Sequence, residues 1–106
     1  MNKIGVDLVG EIVLYKENGR KSPVIQDLWG IANLRGETRK DSYYIYLIDN
    51  ETLEVGQKSQ AEFKFKFSDD ERFKIKVCVG QVIELSSGFR KTGEFRIQKI
   101  INRKLE

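Results

Sequence analysis

Two loops carry the side chains best suited to contacting phosphate. Residues 18–23 read Asn-Gly-Arg-Lys-Ser-Pro and residues 88–93 read Gly-Phe-Arg-Lys-Thr-Gly, so each joins a turn glycine to an Arg-Lys pair and a hydroxyl residue. Guanidinium and ammonium groups, with backbone N–H donors nearby, are the groups that phosphate oxygens require. Such loops also cap ordinary hairpins, so the motif has low specificity. The candidate phosphate contacts are Arg20, Lys21, Arg90 and Lys91.

The residue types that common catalytic sites require are missing or scattered. The chain has no histidine, which removes the usual nucleophile arrangements and the commonest zinc ligand. No phosphate-cradling glycine pattern precedes a helix. Glu11, Glu84 and Glu94 are expected in strands, but their spacing makes no two of them a general acid and base. We therefore predict a non-enzymatic protein with no catalytic residue, no metal and no nucleotide or other cofactor.

Two further features could carry chemistry but have simpler interpretations. Residues 69–71 (Asp-Asp-Glu) form the densest acidic group and could hold a hard cation. A solvated turn between two strands is the favoured interpretation. Cys78 is the only cysteine and lies in an apolar run, where a small buried hydrophobe is favoured over a reactive thiol.

The elements that position these loops follow from a dominant period of two. Residues 61–67 alternate apolar and charged side chains, and residues 73–77 repeat the pattern after the charged stretch 68–72. Because successive strand side chains point to opposite faces, this predicts a hairpin. Other strands are expected at residues 8–15, 42–48, 53–57, 81–85 and 94–101. About six short strands without a helical period predict an all-β sandwich or closed antiparallel barrel, and closure removes unpaired edges.

Length and composition favour one globular domain. The 106 residues are 40% hydrophobic and 33% charged, and we expect a single domain with its core at about 8–101 and frayed ends at 3–6 and 102–106. The longest apolar run, residues 43–48, is far shorter than the ~20 residues that span a bilayer. The N-terminus has no signal-peptide core. A cytoplasmic location without membrane contact is therefore expected.

Charge is unevenly distributed along the chain. Residues 1–57 contain 7 Lys or Arg against 9 Asp or Glu, whereas residues 58–106 contain 12 against 7. The excess in the second half is compatible with an anionic partner, and also with solvated strand faces.

Three stretches, in order, resemble the third domain of elongation factor Tu. Residues 8–23 resemble its opening, where a Glu-Val-Tyr-Val-Leu strand leads to a Gly-Gly-Arg-His-Thr-Pro loop. Residues 53–57 are similar to its Met-Pro-Gly-Asp turn. Residues 88–93, followed by 95–101, are similar to its closing Gly-Gly-Arg-Thr-Val-Gly turn and final strand. The resemblance covers most of residues 8–101 and implies a six-stranded antiparallel barrel.

The resemblance also implies a contact role. In that family the domain has no catalysis of its own and docks against a GTPase domain, an exchange factor and the T-stem of aminoacyl-tRNA. Arg20 and Lys21 match the loop's Arg and His, and Gly88 falls in the glycine-rich turn that approaches the tRNA backbone. Phe89 stands where the family has a turn glycine, and Trp29-Gly30 replaces much of an aromatic strand.

Two functional hypotheses remain open. The first is a stand-alone barrel that binds RNA phosphates, because neither the GTPase domain nor the second barrel of the family is found in these residues. The second is a protein-interaction module, such as an adaptor, regulator or immunity-type protein, that does not bind nucleic acid. The expected partner is thus RNA or protein, and the candidate contact residues are Arg20, Lys21, Gly88, Phe89, Arg90 and Lys91.

Overall fold

A computed structural model of the chain describes residues 5–15, 24–25, 27–48, 52–54, 56–87 and 90–106. Eight strands and one short 3-10 turn at Arg103–Leu105 lie within these ranges. The strands are β1 (Leu8–Leu14), β2 (Val24–Ile25), β3 (Asp27–Leu34), β4 (Asp41–Leu47), β5 (Thr52–Leu53), β6 (Lys58–Phe65), β7 (Val82–Ser87) and β8 (Arg90–Ile100). In the described part of the chain, no helix is long and apolar enough to span a membrane.

Six of these strands form a closed barrel. Their order around the wall is β1-β6-β4-β3-β7-β8, with β8 returning to β1, and every neighbouring pair is antiparallel. The short strands β2 and β5 pair with each other outside the barrel. The predicted all-β antiparallel barrel of about six strands is confirmed. Closure gives each wall strand two partners, so the wall has no free edge.

The core is built by the alternation that the sequence displays. Along β1, every second side chain is buried, because inward and outward positions alternate in a strand. Phe63 of β6 lies at the centre of an aromatic group, with ring centroids 5.4 Å from Tyr43, 4.9 Å from Phe65 and 5.0 Å from Phe95. Offset and tilted ring pairs at these distances add to the stabilisation from buried apolar area.

The predicted hairpin between residues 61–67 and 73–77 is wrong. Residues 73–77 form no strand, because both sides of β6 are already occupied by β1 and β4. The alternation still predicts correctly which of these side chains are buried. Phe73, Ile75 and Val77 are part of the core, whereas Lys74 and Lys76 are exposed. Residues 66–81, here called the closing segment, therefore contribute core side chains without adding a strand to the wall.

Strand β3 was not recognised in the sequence. Its residues, Asp-Leu-Trp-Gly-Ile-Ala-Asn-Leu, lack strict alternation. Gly30 serves close packing, since a Cβ there would lie 2.6 Å from the Ser86 carbonyl oxygen of β7.

Two smaller expectations are also corrected. The end of the chain at 102–106 is not frayed: Leu105 is fully buried, and its carbonyl accepts a 2.7 Å hydrogen bond from the Val77 N–H. Cys78 is exposed rather than buried, because it falls on the outward side of an alternating run. Residues 69–71 lie in a turn, as the favoured interpretation held.

The barrel has two contrasting ends. At the hairpin end, β1 stops at Leu14 and β7 turns back into β8. At the capped end, β3 and β6 stop, and the closing segment and residues 101–106 contribute their apolar side chains to the core.

Candidate binding site at the hairpin end

The structure places only part of the predicted contact set. Arg20, Lys21, Gly88 and Phe89 lie outside the described residues. Arg90 opens β8 opposite Ser87, and Lys91 pairs with Ser86 and is exposed. The two basic residues of the second loop are thus the first residues of β8, directly after the turn.

Strand β1, which leads into the first basic loop, lies beside strand β8, which begins in the second. Leu14 is paired with Gly93, and the Tyr15 N–H donates a 2.9 Å hydrogen bond to the Thr92 carbonyl. Gly93 has a packing role here, because a Cβ would lie 2.4 Å from the Val13 carbonyl oxygen. The chain therefore leaves β1 next to β8, at the end where the β7–β8 turn lies.

Below this turn, the outer wall carries a group of four polar side chains that we call the carboxylate cluster: Tyr15, Arg35, Glu84 and Glu94. Glu84 and Glu94 are directly opposite each other on β7 and β8. The Tyr15 hydroxyl lies 3.0 Å from an oxygen of each carboxylate. The Arg35 guanidinium bridges the same pair, with Nε 2.9 Å from Glu84 and Nη2 2.6 Å from Glu94. The cluster therefore connects the strands β7 and β8, which contain the two glutamates, to the residues that directly follow β1 and β3.

The electrostatics of this cluster favour the ionised form of Glu84. Burial of the Glu84 carboxyl acts to raise its pKa, but hydrogen bonds from Arg35 and Tyr15 outweigh burial, so the pKa lies below its ordinary value. Burial and the bonds to Glu94 and Glu84 raise the pKa of the Tyr15 hydroxyl, which keeps it protonated as a donor. A general acid needs a carboxyl whose pKa is raised toward neutrality. The arrangement at Glu84 is the opposite and is that of a structural ion pair.

Lys91 is close enough to the cluster for its charge to act on it. The Lys91 ammonium contributes to lowering the pKa of Glu84. Arg35, Lys91, Glu84 and Glu94 carry two positive and two negative charges, so their charges offset one another at this part of the wall.

Sequence reasoning missed the carboxylate cluster. Glu84 and Glu94 were noted as strand residues, but their pairing depends on the register of the β7–β8 hairpin, and a shift of one residue would place them on opposite faces. The sequence signal that could have found them is their nearly equal distance from residues 88–89, although the irregularity between Leu85 and Ser86 is also needed to bring them opposite each other.

Comparison with known proteins gives no relative: no protein-family model matches the chain, and no curated protein matches it significantly. Within the described ranges, no three Asp, Glu or Cys side chains come together in a way that could hold a metal ion. The case for function therefore depends on the geometry of the two barrel ends.

Proposed function

We propose that this chain is a non-catalytic binding module, built on a barrel similar to the third domain of elongation factor Tu, that contacts RNA phosphates through its hairpin end. The observation that carries the proposal is the position of Tyr15, which is held against Thr92 of β8 by a 2.9 Å hydrogen bond. The closed six-stranded antiparallel wall is compatible with the resemblance.

The adjacency of β1 and β8 brings the starts of both basic loops to one place. Arg90 and Lys91 come just before Thr92, and the loop that contains Arg20 and Lys21 begins directly after Tyr15. An RNA backbone presents a phosphate at every nucleotide, so several cations at one end of a small domain can each neutralise one. Gly88 and Phe89 stand between β7 and Arg90 in the sequence and are the residues for which we propose a backbone or ring contact with RNA.

The test is the salt dependence of binding to a short RNA hairpin, measured by filter binding. Each phosphate contact adds roughly 0.7 to 0.9 to the slope of log affinity against log salt. We expect the double variant Arg90→Ala and Lys91→Ala to lower that slope by about 1.5, and Arg20→Ala with Lys21→Ala to do the same. A matched control, Lys66→Ala with Lys74→Ala, removes two exposed charges at the capped end and should leave the slope unchanged. An affinity that does not change with salt concentration, or a slope that is equal in all variants, would reject the RNA proposal.

The second candidate function is a protein-interaction module that does not bind nucleic acid, such as an adaptor, regulator or immunity-type protein. The balanced charges around Lys91 and Glu84 favour it, because they weaken the attraction of phosphate at that point. It predicts capture of the same protein partner from lysate with and without nuclease treatment, with little dependence on salt. Loss of the partner after nuclease treatment would instead support RNA.

A further inference from the structure

A groove at the capped end separates two stretches of chain that are remote in sequence. Residues 36–39 form one wall and residues 74–76 of the closing segment form the other, around a volume of about 530 Å³. All of these residues lie within the described part of the chain.

One wall of the groove is an extended segment without a strand partner. Burial alternates from Phe73 to Val77 as it does in a strand. The Lys74 carbonyl accepts a hydrogen bond from Arg39 across the groove, whereas the Val77 N–H donates to Leu105 on the other side. Because successive backbone groups of an extended chain point to opposite sides, the N–H groups of Lys74 and Lys76 and the Lys76 carbonyl face the groove. None of these three groups has a hydrogen-bond partner among the described residues.

The other wall is held in place by its own side chains. Asp41 binds Arg39 at two points, with distances of 2.9 Å and 3.1 Å, and the guanidinium lies 4.9 Å from the centre of the Phe73 ring. The Asn33 amide donates to the carbonyls of Glu37 and Arg39 at 2.6 Å and 2.8 Å. The groove is therefore formed before any ligand arrives, which lowers the entropy lost on binding.

The charge of the groove indicates what would occupy it. Lys74 and Lys76 are both exposed and lie two positions apart, so they project to the same face of the extended segment. The Lys76 ammonium donates one hydrogen bond, of 3.0 Å, to the Lys104 carbonyl and keeps two further N–H donors for a ligand. Glu37 is the single acidic residue among those that line the groove. We propose that the groove binds an extended acidic peptide of a partner protein, which adds as a strand to residues 74–76 and places carboxylates opposite the two lysines.

The backbone groups distinguish a peptide from a nucleic acid. The Lys74 and Lys76 N–H groups, separated by two residues, match the spacing of carbonyls along a peptide strand, and the Lys76 carbonyl needs a donor that a peptide N–H supplies. A nucleic-acid backbone has no row of N–H donors and carbonyl acceptors at the spacing of a β-strand, so it could meet these groups only one at a time, through a 2′-hydroxyl or a base.

The first experiment measures binding of a fluorescently labelled peptide of alternating glutamate and valine by anisotropy. The double variant Lys74→Glu and Lys76→Glu should weaken binding by about tenfold or more, since like charges opposite each other on paired strands are destabilising. The control, Lys58→Glu with Lys99→Glu, makes the same charge change at exposed positions away from the groove and should stay within about twofold of the wild type. Equal weakening in both double variants would overturn the proposal, because it would show that only net charge matters.

The second experiment uses the unaltered protein and so does not depend on the folding of any variant. Two versions of the same peptide, one N-methylated at its glutamates and the other at its valines, keep their charge but each loses the N–H donors of one side. We expect binding to be lost for one version and kept for the other, and binding of both versions equal to that of the unmethylated peptide would rule out strand addition. Stronger competition by a single-stranded RNA of equal charge would assign the groove to nucleic acid instead. Arg90→Ala with Lys91→Ala should leave peptide binding unchanged, which separates this site from the hairpin end.

Discussion

Strand β6 and residues 73–77 of the closing segment share one sequence pattern but have different structures. Both alternate apolar and charged residues, and both bury their apolar side chains. Strand β6 has a strand on each side, whereas residues 73–77 have none. Alternation therefore identifies most of the buried side chains, with Lys64 buried and Phe67 exposed as exceptions. The presence of a free neighbouring edge decides whether the backbone joins a sheet.

The two regions also differ in what holds their backbones. The amides of β6 belong to the ladders with β1 and β4. Separate hydrogen bonds hold the closing segment instead. The Val77 N–H donates to the Leu105 carbonyl at 2.7 Å, Arg39 donates to the Lys74 carbonyl, and Lys104 Nζ donates to the carbonyls of Ser68 and Asp70 at 3.0 Å and 2.5 Å. Such bonds connect single points, so we expect the closing segment to tolerate backbone changes that β6 does not.

The largest effect should come from emptying the aromatic centre of β6. Phe63→Ala removes a fully buried ring that touches three other aromatic rings, and we expect it to lower the free energy of unfolding by about 5 kcal/mol. Phe73→Ala removes the matching ring of the closing segment, which packs on Phe65 at 5.4 Å. It should cost about 3 kcal/mol, because the less constrained segment can collapse into the space. Urea unfolding measures both, and equal losses would contradict the distinction.

A proline in each region tests the backbone directly, at the half-buried Glu62 of β6 and at the exposed Lys74 of the closing segment. Glu62→Pro removes an N–H from a strand with partners on both sides and should cost about 3 kcal/mol or more. Lys74→Pro removes an N–H that has no acceptor among the described residues, in a segment that is already extended, and should cost less than about 1 kcal/mol. Hydrogen exchange supplies a second measurement: the Glu62 amide should exchange far more slowly than the Lys74 amide. Similar protection of the two would show that residues 73–77 are paired after all.

The sequence was sufficient to predict the barrel but not its complete strand list. Five of the six wall strands were recognised from alternation and from turn residues, because one buried face dictates a period of two. The pattern of β3 is interrupted by Gly30, whose close approach to Ser86 is a tertiary contact. The pattern of 73–77 is regular, yet these residues are not paired, since barrel closure is a property of the whole chain.

The candidate sites were less accessible to sequence reasoning, for a different reason. The Arg-Lys pairs of the basic loops are local, so Arg90 and Lys91 could be proposed from neighbouring residues alone. The capped-end groove joins residues 36–39 to residues 74–76, and the carboxylate cluster depends on strand register. No local pattern encodes a contact between segments so far apart.

Removing one of the bonds that hold the closing segment should have a smaller effect. Lys104→Met keeps the aliphatic stem but loses the hydrogen bonds to the carbonyls of Ser68 and Asp70. Because the lysine is exposed, we expect a loss of about 1 kcal/mol, at the lower end for bonds to a charged group. Lys99→Met, on the exposed face of β8, is the control and should change the free energy of unfolding by less than about 0.5 kcal/mol. A larger loss for Lys99→Met would point to charge alone as the cause.

The smallest predicted effect comes from Glu84 in the barrel wall, and this loss of unfolding free energy should depend on pH. The pKa of Glu84 is lowered in the folded chain by Arg35 and Tyr15, against the opposing effect of burial. A carboxyl of this kind stabilises the fold when it is ionised, and that contribution is lost as pH falls below the ordinary glutamate pKa of 4.5 and through the lowered value. We expect Glu84→Gln to cost about 0.5 kcal/mol at neutral pH, since Arg35 is half-exposed, and to cost nothing near the acid limit. The bonds that Lys104→Met removes go to backbone carbonyls, which do not titrate, so its loss should depend on pH only through the charge interaction with Asp70. Urea unfolding of the wild type and both variants at neutral and acid pH measures these losses. A Glu84→Gln loss that does not depend on pH would show that the substitution removes packing rather than the ion pair.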